Sequence, residues 1–384
     1  MKNLIILFFT TVLAFQFLSC PISKIKKKDV DSLRTVTISF AGDLMCHFPQ
    51  MDFARVSKDS FDFKPAFREV RKFLSVSDLT IGNLETTIAG KENRYSGYPL
   101  FNSPDEYLDA LKDAGFDVLL TANNHCLDRG KSGLVKTIEK IRSVGMNSIG
   151  TYKSQQDRDS IRIFEINGIK LAILAYTYGL NGNYISKKEK YLVNVIDTNL
   201  IKLDIQSARK KNAEVVLVYF HFGEEYQHKP NSFQREVAKF AINCGADLII
   251  GSHPHVIQPL EYFTSNKNKI GEGIIAYSLG NFLSNQRWRY SDAGVILNIA
   301  LTKNISNDVI ELSSVSVLPT WVFKGRLENK NEFIILPADT TMSKFYNFLT
   351  EADRTKLLQA NTDTRKMFNS LQSHSYQLLN GKSN

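Results

Sequence analysis

Five short polar clusters between residues 43 and 255 carry the side-chain types that a two-metal hydrolytic centre uses. They are Asp43 with His47; Asn83 with Glu85; Asn123, Asn124 and His125 with Asp128; His221 with Glu225; and His253 with His255. Five of the seven histidines of the chain fall in this set, which makes a metal-dependent hydrolytic centre the first hypothesis. Two divalent ions about 3.5–4 Å apart clamp the attacking and leaving oxygens of a displacement and lower the pKa of a bound water. A carboxylate can bridge such a pair while imidazoles and an amide oxygen fill the other positions. Mixed oxygen and nitrogen donors of this kind suit manganese, iron or zinc better than calcium.

Each cluster follows an apolar run that reads as a buried strand. Residues 35–41, 79–82, 116–122, 215–220 and 248–251 are such runs, and amphipathic stretches at 64–74, 104–114, 132–144, 197–211 and 233–244 read as helices between them. Asn167-Gly168 turns a hairpin of 160–166 and 169–176. Further strands are expected at 273–279, 293–302 and 309–322, and a polar, helical segment after Pro337. Alternating strands and helices indicate an α/β layer fold with two sheets packed face to face. In such sheets loops beyond the carboxyl ends of strands converge on one pocket, so residues distant in sequence can share a site.

The same residues have plainer uses. Asn123 suits a helix N-cap, Asp128-Arg129-Gly130 a turn, and Gly223, Gly251 and Gly280 backbone geometry alone. His253 and His255 flank Pro254, a spacing that on an extended segment faces both rings to one side. His228 and His374 have no such companions.

Composition is that of an ordinary globular protein, with 43% hydrophobic and 11% aromatic residues. The net charge of +9 is spread along the chain, which argues against nucleic acid and suits an anionic substrate or envelope surface. Cys46, Cys126 and Cys244 are odd in number and widely spaced, so no disulfide framework is expected.

At the amino terminus, Lys2 precedes a nearly unbroken apolar run over 4–18, shorter than the roughly 20 residues of a spanning helix. It reads as an export signal over 1–19. Phe17-Leu18-Ser19-Cys20 resembles a bacterial lipobox, so Cys20 is the expected lipidation site and residues 20–34 a tether. Lys24, Lys26, Lys27 and Lys28 make that tether basic, fit for anionic headgroups or for a solvated spacer. The expected location is the bacterial envelope, as a membrane-anchored lipoprotein.

Six motifs in order carry a family resemblance over roughly 36–282. They are Gly42-Asp43-Leu44-Met45, Gly82-Asn83-Leu84-Glu85, residues 122–130 around Asn124-His125, His221-Phe222-Gly223-Glu224-Glu225, Gly251-Ser252-His253-Pro254-His255, and Leu279-Gly280-Asn281-Phe282. The chain resembles the CapA family of poly-γ-glutamate capsule synthesis proteins, which is placed in the calcineurin-like metallophosphoesterase superfamily. The resemblance implies a four-layer α/β/β/α sandwich with two mixed sheets, expected over 35–325, and the remaining 326–384 reads from its own composition as a helical extension. The resemblance also implies two metals held by Asp43, Asn124, His221, His253 and His255, with His125 protonating the leaving group and Asp128 orienting it.

Two departures from the superfamily pattern stand out. Met45 occupies the place of the usual first-motif histidine, leaving His47 to reach a metal by another turn. The bridging aspartate motif is missing, and Glu85 is its expected replacement, with Asp78 as runner-up.

Asn123, Arg94, Arg129, Glu225 and Asn281 are expected to contact substrate, and the basic-aromatic stretches 90–103 and 287–290 to wall its site. The expected function is a metal-dependent hydrolase or transferase acting on poly-γ-glutamate or another anionic or peptide-like envelope polymer, alongside capsule-synthesis machinery. A non-catalytic polymer-binding module and a phosphomonoesterase or nucleotidase are the alternatives.

Overall fold

The computed structural model describes residues 32–369 and 377–378. The export signal and Cys20 lie outside the described residues, as does most of the tether. Among the described residues no helix is long and apolar enough to cross a membrane.

Two sheets form the centre. The larger runs in the order Lys330–Pro337, Val309–Leu327, Ala293–Asn304, Leu33–Leu44, Leu79–Leu84, Val118–Leu120, Asn147–Ile149; Asn281–Leu283 pairs with Leu33–Leu44, and Gln377–Leu378 with Val309–Leu327. The smaller runs Leu260–Thr264, Glu272–Ala276, Leu248–Ser252, Val215–His221, Ile169–Thr177, Ile163–Ile166. The strands that end at the polar clusters are parallel within each sheet.

The period of two along each strand builds the layers. Val118 and Leu120 join the core between the sheets, whereas Leu119 joins the outer core beneath Leu108 and Leu111 of helix Glu106–Ala114. In the smaller sheet Val215, Leu217 and Tyr219 face inward, and Val216, Val218 and Phe220 face Ile201, Ile205, Val237 and Ala241 of helices Thr198–Lys210 and Ser232–Cys244. The result is the expected α/β/β/α order.

Several elements differ from the sequence reading. Residues 64–74 form two short turns, Lys64–Phe67 and Arg71–Leu74, not one helix. Phe67, Val70 and Leu74 are all buried, so the apolar spacing persists across the break. Helix Phe48–Ala54 and strands Asn147–Ile149 and Leu260–Thr264 had no sequence counterpart. Strand Lys330–Pro337 pairs with Val309–Leu327, so the larger sheet continues past residue 325 before helix Glu351–Asn369.

Candidate metal centre

The site lies where the carboxyl ends of both sheets meet. Asp43 comes from strand Leu33–Leu44, Glu85 follows Leu79–Leu84, and Asn124 and His125 follow Val118–Leu120. His221 ends Val215–His221, and His253 and His255 follow Leu248–Ser252. All seven side chains are buried.

The inward direction of Asp43 needs a local irregularity. Ala41 and Leu44 belong to the outer core, so an unbroken alternation would turn residue 43 outward with Ala41. The register against Leu79–Leu84 slips between Ala41 and Asp43, pairing Ala41 with Gly82 but Asp43 with Asn83. A bulge of this kind re-aims a side chain. Asp43 Oδ1 then accepts from Asn83 Nδ2 at 2.8 Å, and Oδ2 stands 3.2 Å from His255 Nδ1.

His253 and His255 do not lie on an extended segment. Their φ angles are +102° and +58°, left-handed for both, a strained backbone of the kind found at ligand clamps. The turned loop sets the His253 ring 4.8 Å from that of His221 and 5.9 Å from that of His255, centroid to centroid. Tyr178 packs on the His253 ring at 4.5 Å.

Three groups of donor atoms converge closely enough to hold a cation: Glu85, His221 and His253; Asp43, Glu85 and His255; and Glu225, His253 and His255. Glu85 belongs to the first two, with Oε1 3.7 Å from His221 Nε2 and 3.9 Å from His255 Nε2. Asn124 Oδ1 lies 2.9 Å from His221 Nε2.

The protein alone does not satisfy this cluster. Glu85 Oε1 and His253 Nδ1 are buried without a hydrogen-bond partner, although buried polar atoms are normally paired. Burial, and then the charge of Asp43, pushes the Glu85 carboxyl well above its usual range. Burial also holds His221 well below 6.5 and His253 down to about 3, the neighbouring imidazoles adding to the effect. Burial would raise Asp43, but its bonds to His255 and Asn83 and the charge of His255 leave it lowered. Neutral imidazoles and crowded carboxyls are what a divalent cation stabilises, so the donor set fits the metal that its chemistry implies.

His125 sits beside this cluster. Its Nδ1 is 2.8 Å from Asp128 Oδ2, which also accepts the Phe101 amide at 2.7 Å, and the Phe101 ring meets the imidazole edge-on at 4.8 Å. The Asp128 contact leaves Nε2 directed away, 3.5 Å from Asn181 Nδ2.

Other expected site residues occupy different places. His47 caps helix Phe48–Ala54, with Nδ1 3.2 Å from Gln50 Oε1 and 3.3 Å from the Asn285 amide nitrogen, and it lines the cleft outside the three donor groups. Asp78 lies at the opposite end of strand Leu79–Leu84, bound to Thr37, and cannot bridge ions at the site. Asn123 is buried, donating to Asn83 Oδ1 and the Leu84 carbonyl and accepting the His125 amide, so it shapes the turn. Asn281 is buried with Oδ1 3.1 Å from His255 Nδ1. Arg129 donates to Ser96 and the Leu100 carbonyl and holds that loop. Arg94 is exposed at φ +55° and offers its carbonyl to Asn102. Glu225 lines the cleft of about 370 Å³ with Met45, Tyr98, Tyr226, Gln286 and Trp288.

The sequence placed Asn83 in a polar cluster with Glu85 but assigned it no role at the site. Its amide nitrogen reaches Asp43, Glu85 Oε2 at 3.2 Å and His221 Nδ1 at 3.3 Å. Its place two residues before Glu85, on the same strand face, was the available signal.

Cys46 and Cys126, next to these motifs, are buried free thiols that burial pushes up to about 12, and neither joins a donor group.

Comparison with known proteins places this geometry in context. The model of a family described as bacterial capsule synthesis protein PGA_cap matches residues 37–286. The capsule biosynthesis protein CapA of Bacillus anthracis is 30% identical over 292 residues, 74% of this chain and 67% of that protein. The PGA biosynthesis protein CapA of Bacillus subtilis (strain 168) is 28% identical over 338 residues, 86% of each chain. Among solved structures, the NAD nucleotidase of Haemophilus influenzae aligns with TM-score 0.46 and 12% identity over 91% of this chain and 65% of that one. Every residue of the donor cluster, from Asp43 to His255, lies inside the matched segment, and the chain belongs to the bacterial capsule synthesis protein family PGA_cap.

Proposed function

We propose that this protein is a metal-dependent hydrolase or transferase of capsule biosynthesis, acting on an anionic, peptide-like envelope polymer such as poly-γ-glutamate. The observation that carries the reading is the convergence of Asp43, Glu85, His221, His253 and His255 around buried, unpartnered Glu85 Oε1 and His253 Nδ1. Divalent cations held there would polarise the scissile group and lower the pKa of an attacking water. With a cation bound, Asp43 and Glu85 would supply the negative charge, and burial keeps His221 and His253 neutral, as metal ligation requires. Asp128 holds His125 Nδ1, so that Nε2 is the atom positioned to give a proton to a leaving amine or alkoxide. Tyr98, Tyr226 and Trp288 at the cleft mouth offer faces against which an extended chain can lie.

The location belongs to the same proposal. The apolar run and Ser19-Cys20 support export and lipid anchoring at Cys20, which would hold the cleft at the membrane surface where capsule-synthesis machinery works.

Turnover decides between this reading and a polymer-binding module. A screen of γ-glutamyl amides and phosphoesters with the metal-loaded protein is expected to give a reaction that His125→Ala slows by about 10² to 10⁴. Equal rates for the parent and His125→Ala on every substrate would remove the enzyme reading. Met45 in the cleft wall, a soft thioether where an imidazole would suit a divalent ion, is the feature that favours the binding module.

A further inference from the structure

A second cavity of about 480 Å³ opens between the loop after strand Asn281–Leu283 and helix Glu351–Asn369. Its size is that of a ligand pocket, and its residues belong to no donor group of the metal centre. Four cations and two acids line it, and both acids are engaged. Asp363 takes Arg289 through both oxygens at 3.0 Å, which braces the loop to the helix, and Asp292 accepts the Trp321 indole N–H at 2.9 Å. Arg287, Lys356 and Lys366 make no ion pair among the described residues. Arg287 Nε is buried without a partner, as is His228 Nδ1 on the same wall.

The loop also divides its side chains between the two sites. Gln286 and Trp288 line the metal cleft, whereas Arg287, Arg289 and Tyr290 line the second cavity. The contacts continue across it: Tyr226 packs on His255 and on Trp288, while Tyr290, at φ +80°, packs on His228 at 4.3 Å. The loop 286–290 is thus a wall common to both cavities, with Trp288 lining one and Arg287 and Tyr290 the other.

We propose that this cavity is a distal subsite for a polyanionic chain, binding carboxylates of the polymer whose other segment lies in the metal cleft. The naming of that polymer rests on the function proposed above. Lys356 and Lys366 are ten positions apart on one helix, about 15 Å along its axis, a spacing that suits repeated charges better than a single small anion. The guanidinium of Arg287 is a donor fork for a carboxylate, and Met367, Ala360 and Ile257 offer apolar surface to the methylenes between charges.

The test is fluorescence anisotropy of a labelled γ-linked glutamate oligomer with the full chain in chelator, so that neither metal nor turnover is needed. Lys356→Gln with Lys366→Gln, both exposed, is compared with Lys202→Gln with Lys239→Gln, an exposed pair on helices over the smaller sheet. The first pair is expected to weaken binding by about tenfold or more and the second by less than about twofold. Unlabelled glutarate is expected to compete poorly. Equal weakening by both pairs would show only the general charge of the protein and overturn the proposal, as would failure of the parent to bind. If the oligomer binds as expected but no substrate is ever turned over, the enzymatic reading falls and this subsite stands.

Discussion

Gly42 and Gly280 touch so closely that a Cβ on Gly42 would lie 1.9 Å from the Gly280 carbonyl oxygen. That carbonyl accepts the Asp43 amide at 3.0 Å, and Gly280 itself has φ +70°. The contact locks the bulge that turns Asp43 toward His255.

Gly42→Ala is therefore expected to cost about 3 kcal/mol or more, because backbone blocks the added methyl and cannot rotate away. Urea unfolding of the metal-free protein measures it. A loss under about 1 kcal/mol would mean that the bulge relaxes easily and does not fix Asp43.

Asp128→Asn should leave metal content unchanged and lower turnover by about 10²-fold, since Asp128 orients His125 without belonging to any donor group. Metal analysis beside kcat separates the two effects. Loss of metal in this variant would show that Asp128 supports the fold of the site and not the proton donor alone.

His47→Ala should keep the metal of the parent protein, because the helix cap holds His47 outside the donor groups. Substrate affinity is expected to fall instead, as His47 lines the cleft. A drop in bound metal would restore the ligand role that its motif suggested.

The metal-free protein should lose stability as pH falls below 6.5. His221 and His253 are depressed in the folded state, so the stability linked to them is present above 6.5 and fades as protons favour the unfolded chain. With His253 held down to about 3, the stability lost through it by pH 5.5 is on the order of 1 kcal/mol. Glu85, raised in the fold, acts in the opposite sense and loses its share as pH rises above 4.5 through its folded value. Thermal melts in chelator from pH 5 to 8 check this, with His221→Asn/His253→Asn expected to flatten the acid limb. An unchanged limb in that variant would place the acid sensitivity elsewhere.

The strands, the outer helices and the convergence of clusters at strand ends were legible because apolar runs of period two and 3.6 stop at polar motifs. Asp43, Glu85, Asn124, His125, His221, His253 and His255 all meet at one edge for that reason. What depended on tertiary geometry was not legible. The bulge at Gly42 reverses the face of Asp43, a one-residue slip that no local pattern marks. The left-handed turns at His253 and His255 depend on surrounding structure, since positive φ is uncommon at any residue other than glycine. The split of residues 286–290 between two cavities needed helix Glu351–Asn369 in place, and the 287–290 stretch therefore read as one wall. Asp78 and Glu85 looked alike as carboxylates near one strand, and only strand direction tells the site end from the far end.

Glu85, His221, His253 and His255 are the expected heart of a metal centre. Elemental analysis of residues 21–384, with and without His253→Ala/His255→Ala, measures whether they hold one. About two transition-metal ions per chain in the parent and a loss in the double variant are expected. A parent that takes up no manganese, iron or zinc when each is supplied, or a double variant that keeps its full metal content, would contradict the account.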